Sequence, residues 1–67
     1  MENNTIYERI LKSLYKDALS AAIEHVHDAN EFNIHLLYAA KIGVFLGFST
    51  AKTIETVDTG VHIGEEG

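Results

Sequence analysis

From Tyr7 onward, apolar residues recur at steps of three and four: Tyr7, Ile10, Leu11, Leu14, Ala18, Ala22 and Val26. Glu8, Arg9, Lys12, Lys16 and Asp17 occupy the other side. The spacing follows the helical turn and predicts an amphipathic helix with one buried face. Thr5-Ile6-Tyr7-Glu8 has capping-box spacing, in which the Thr5 hydroxyl accepts from the backbone three residues on and Glu8 reaches back, so this helix is expected to start at Thr5. His25 and His27 fall near its end, where a protonated imidazole suits the negative pole of the helix dipole.

Asp28-Ala29-Asn30-Glu31 follows, with two N-cap candidates and a second capping-box spacing from Asp28 to Glu31. It predicts a turn and the start of a second helix. No Gly or Pro interrupts the segment, so one continuous helix through residues 24–38 is the competing reading.

The second helix differs in kind. From Leu36 to Phe48 the chain is apolar almost all round, with Lys41 in the middle. Such a helix is buried on more than one side. The run falls short of the ~18–20 apolar residues of a membrane span, and a hairpin with the first helix covers only one of its faces. The remainder calls for a second chain. Ala39, Gly43, Gly47 and Ala51 fall four apart, a small-residue stripe that lets helix backbones approach closely. An interface is therefore expected at Tyr38, Ala39, Ile42, Gly43, Phe45, Leu46 and Gly47. The plainer alternative is that Gly43 and Gly47 only weaken or end the helix, at about 1 kcal/mol each relative to Ala.

Beyond Gly47, Ser49-Thr50 offers a new N-cap, and Ala51 to Val57 reads as a short third helix with Ile54 and Val57 inward. A β reading competes, because Thr53, Ile54, Thr56, Val57, Thr59, Val61 and Ile63 are β-branched and Asp58-Thr59-Gly60 could turn a hairpin. Residues 1–4 and 64–67 are expected to be flexible ends. The fold class is mainly all-α: a single domain over residues 1–67, a helical hairpin with a short C-terminal helix or β element, completed as a dimeric helical bundle.

Length sharpens the need for a partner. A core built from 67 residues rarely yields more than ~3–5 kcal/mol. With no cysteine, disulfides and thiolate zinc sites are excluded, leaving association or a metal held by His and carboxylates. A hydrophobic share of 46% with 22% charged residues marks a folding chain, and a net charge of −5 disfavours nucleic acid. Met1-Glu2-Asn3-Asn4 lacks the basic and apolar regions of a signal peptide, so a cytoplasmic location without membrane attachment is expected.

The densest set of possible ligands is Glu24, His25, His27, Asp28, Glu31 and His35. On an unbroken helix, Glu24, His27, Asp28, Glu31 and His35 share one face, and Glu24-x-x-His27 has the spacing of di-iron bundle proteins. Glu24, His27, Glu31 and His35 are thus the candidate metal ligands for Zn²⁺ or iron. The simpler reading is a polar inter-helix turn with capping residues and solvated imidazoles, which requires no metal or cofactor. Residues 39–54 also resemble a helix-turn-helix pattern, although Val44-Phe45-Leu46 makes its turn long and apolar and only Lys41 and Lys52 supply local cations. No Cys nucleophile, phosphate-binding glycine loop or Gly-x-Ser-x-Gly elbow is present.

These observations together predict a non-enzymatic protein–protein interaction module, a small regulator or inhibitor. Its expected partners are itself, as a homodimer or higher oligomer, and another protein. The alternatives are a metal-binding helical hairpin and a small helix-turn-helix-like DNA-binding dimer.

Overall fold

The computed structural model describes the backbone of residues 2–66 and the side chains of residues 5–62. Three helices follow one another: α1 over Glu2–Glu24, α2 over Ala29–Phe45 and α3 over Thr50–Glu66. The fold is all-α, with no strand among the described residues. The expectation of flexible ends at 1–4 and 64–67 concerns residues whose side chains lie outside the described range.

Helix α1 begins ahead of Thr5, which corrects the expected capping box. Nothing between Glu2 and Thr5 breaks a helix, so Thr5 is absorbed into the first turns. Glu8, its intended partner, lies instead 3.5 Å from Lys12 one turn on.

The turn at Asp28 forms as its sequence indicates, and the continuous-helix alternative is excluded. Asp28 adopts extended dihedrals (φ −117, ψ 99) and its side chain accepts from the Glu31 backbone N–H at 3.2 Å. The capping carboxylate thus does what a Gly or Pro would otherwise do.

Helix α2 ends in a Schellman motif. Phe48 N–H donates to the Gly43 carbonyl at 2.8 Å and Gly47 N–H to Val44 at 3.1 Å. Gly47 takes φ +92, a conformation that disfavours any side chain. Ser49 then caps α3, its hydroxyl accepting from Lys52 N–H at 3.1 Å.

Helix α3 runs far beyond Val57, and the β reading is overturned. A lone hairpin has little to dock on, whereas a helix can bury Thr53 and Val57 against α1 and α2. Its threonines are accommodated in part by bonding backward, as Thr56 does to the Lys52 carbonyl at 2.8 Å. Gly60 proves to be a packing position instead of a turn: a Cβ there would collide with Ile23. Ile54 is half exposed at 48%, so of the two residues expected inward only Val57 is enclosed.

The three helices pack pairwise, most extensively α1 with α2. Their junction is made largely of small residues, Ala18 and Ala22 of α1, Ala39, Ala40 and Gly43 of α2, Thr53 and Val57 of α3, with Ile42 of α2 among them. Tyr15 is the one large aromatic enclosed there. A methyl group at Gly43 would stand 2.9 Å from Thr53 Oγ1 and 3.0 Å from Tyr15 Cε1. The missing side chain therefore opens the space in which the Tyr15 and Thr53 hydroxyls meet at 3.0 Å, a buried hydrogen bond tying α1 to α3. The Tyr15 ring also packs on Phe48, with centroids 5.4 Å apart.

Candidate interaction surface

Many of the large apolar side chains of the hairpin are outside this junction. On α1, Ile6, Tyr7, Ile10 and Leu14 are between 38% and 58% exposed; on α2, Ile34, Leu37, Tyr38, Val44 and Phe45 are between 52% and 73% exposed. Tyr7, Ile10 and Leu14 were expected to face inward. The apolar arc of α1 is wider than its neighbours cover, and the enclosed positions are the adjacent ones, Tyr15, Ala18 and Ala22, with Leu11 and Leu19 packed beside them.

The uncovered residues form two stripes. On α1 the positions Tyr7, Ile10, Leu14 and Asp17 follow at three- and four-residue steps; on α2, Ile34, Tyr38, Lys41 and Phe45 do the same. Helix α3 rests on the other side of the hairpin, since Ile23 meets it at Gly60 and Gly43 meets it at Thr53. With about half of ~150–200 Å² in the open per large side chain, nine such residues leave on the order of 800 Å² of apolar surface.

Of the residues expected at an interface, Tyr38 and Phe45 lie on this surface. Ala39, Ile42 and Gly43 are buried against the chain's own helices, because the Ala39 and Gly43 part of the small-residue stripe serves packing within the chain, while Ala51 is exposed. Leu46 packs at the edge of the same core, and Gly47 is exposed in the α2–α3 connection. Ile6, Ile34, Leu37 and Val44 lie on this surface outside the residues expected at an interface. For Ile6 and Ile34 the spacing marks them, since each precedes by four residues another member of its stripe, Ile10 and Tyr38.

The candidate metal ligands are dispersed by the turn. Glu24 closes α1, His27 lies in the connection, and Glu31 and His35 sit on α2 with 3.4 Å between His35 Nε2 and a Glu31 carboxylate oxygen. The His35 ring stacks on His25, centroids 5.3 Å apart. Among the described residues no group of three or more His, Asp or Glu comes together to hold a metal ion. The shared face required an unbroken helix, and the Asp28 cap breaks it.

A separate groove of about 630 Å³ runs between α2 and α3, floored by Val26, Phe32, Leu36, Val57 and Val61, with Ile54, Glu55 and Asp58 beside it. Among the described residues no helix is long and apolar enough to cross a membrane. Comparison with protein-family models, with curated proteins and with solved structures returns no match for this chain.

Proposed function

We propose that this chain is a small non-enzymatic protein–protein interaction module, a regulator or inhibitor that works by binding another protein and that also associates with itself. The observation carrying this reading is the α1–α2 surface, where nine large apolar side chains stay exposed while the interior is filled mostly by alanine, glycine and threonine, with Tyr15, Ile42 and Val57. Leaving that much apolar surface in water is unfavourable by ~25 cal/mol per Å². A second body that covers it recovers the difference. The net charge of −5 favours basic partners and steers their approach.

Affinity capture from a native lysate tests the reading. Immobilised wild-type chain should retain a protein that Leu37→Ser/Val44→Ser does not, because both positions lie on the exposed side of α2. If the two baits retain the same proteins, or none, the surface is not a docking site for another protein.

A further inference from the structure

We infer that the occupant of the α1–α2 face is a second copy of this chain, in an antiparallel four-helix arrangement where Asp17 of each protomer meets Lys41 of the other. The inference rests on reading this face as a docking surface and names what docks there.

The geometry starts from register. Tyr15 lies against Gly43, and nearer the turn His25 stacks on His35, so α1 and α2 run antiparallel. Moving two residues up α1 from Tyr15 and two down α2 from Gly43 places Asp17 level with Lys41. Each of the two stripes thus holds one charged member, the two are opposite in sign, and they stand at the same height.

Neither charge is provided for within its own chain. The residues three and four away from Lys41 along α2 are Leu37, Tyr38, Val44 and Phe45, all apolar and all exposed. Those around Asp17 are Ser13, Leu14, Ser20 and Ala21. Asp17 and Lys41 are both exposed, and neither belongs to an ion pair among the described residues.

A two-fold axis parallel to the helices sets the α2 stripe against the part of the α1 stripe that lies beside it, from Leu14 onward. It keeps every residue at its own height, lays α1 of one protomer over α2 of the other, and makes those neighbours antiparallel, as in an up-and-down bundle. At that height Asp17 faces the partner subunit's Lys41. One turn along, Leu14 comes level with Phe45 of the partner subunit, where α2 ends. In the other direction Ala21 comes level with the partner's Tyr38. Helix α3, on the far side of each hairpin, is not displaced. The apolar residues that lie beside the partner's helices, Leu14, Ile34, Leu37, Tyr38, Val44 and Phe45, expose on the order of 500 Å² per protomer, the low end of specific interfaces.

A charge-swap series read by sedimentation equilibrium tests the inference. Wild-type chain should be a dimer across the micromolar range. Asp17→Lys sets lysine against lysine and Lys41→Glu sets acid against acid, so each single variant should weaken the dimer by roughly tenfold or more. The double variant restores opposite charges with the signs exchanged and should recover a constant near that of wild type. Circular dichroism should show the same helix content in all four proteins, since both residues are exposed. A monomeric wild type, single variants that associate as wild type does, or a double variant as weak as the singles would each overturn the pairing. If wild type is monomeric yet the lysate capture still depends on Leu37 and Val44, the second copy is refuted while the docking surface stands.

Discussion

The junction of the three helices and the outer face of the α1–α2 hairpin are built from opposite kinds of residue. Inside are mostly small residues, Ala18, Ala22, Ala39, Ala40, Gly43, Thr53 and Val57, with Tyr15 and Ile42; outside are Ile6, Tyr7, Ile10, Leu14, Ile34, Leu37, Tyr38, Val44 and Phe45. Hydrophobicity alone would sort them the other way. What sorts them is the distance between backbones: small residues let helices close on one another and gain dispersion contacts along their lengths, which leaves room in the seam for few large side chains, Tyr15 and Ile42 among them. A short chain that packs itself largely with alanine leaves much of its bulk on the surface.

If this contrast is sound, the two regions respond differently to substitution. The largest effect belongs to Gly43→Val, whose side chain must displace Tyr15 and Thr53 together. It should destabilise the fold by about 3 kcal/mol, the upper end for overpacking, and lower the melting temperature by roughly 10–20 °C. An unchanged thermal melt would mean that the helices do not approach as described.

Next comes Thr53→Val, which keeps the volume but strands the Tyr15 hydroxyl in the interior. Denaturant titration should show a loss of ~1–3 kcal/mol, with a smaller loss for Tyr15→Phe because Thr53 can turn its hydroxyl to the helix backbone. Equal losses would show that the bond contributes no more than the packing around it. Asp28→Ala removes the cap that separates α1 from α2 and should cost ~1 kcal/mol in the same titration. No loss at all would show that the turn holds without its cap.

The smallest effect on the fold marks the other region. Phe45→Ser, at 73% exposure, should change the unfolding free energy of dilute protein by no more than about 0.5 kcal/mol. Sedimentation should nonetheless show its self-association lost. A destabilisation approaching that of Gly43→Val would place Phe45 in the core and erase the distinction.

The sequence disclosed local features better than the pairing of faces. Asp28 and Ser49 were readable as caps because a cap needs only one side chain and the backbone a turn ahead. The length of α3 was hidden: its β-branched residues and Gly60 mimic a hairpin, and the reason Gly60 belongs in a helix, the close approach of Ile23, is a tertiary fact. On α1 the apolar arc runs without interruption through Tyr7, Ile10, Leu11 and Leu14, so periodicity could not say which part a neighbour would cover. The surplus of apolar surface on α2 was legible in the run from Leu36 to Phe48, and with it Tyr38 and Phe45. That Ala39, Ile42 and Gly43 turn into the hairpin was not legible, because a small-residue seam looks the same whether the second helix comes from the same chain or another. The match between Asp17 and Lys41 depends on the register of α1 against α2, which only the fold supplies.

The central claim, that the bulky face is covered by a second body while the small-residue junction holds each chain together, is tested most directly by thermal melting as a function of protein concentration. Wild type and Tyr38→Ser/Phe45→Ser are compared over the same dilution series. The wild-type melting temperature should climb with concentration, as mass action requires of an associating protein, whereas the variant should melt at one temperature throughout, that of the most dilute wild type. A wild-type melt indifferent to concentration, together with a variant that melts far lower at every dilution, would show that these side chains belong to the interior of a single chain.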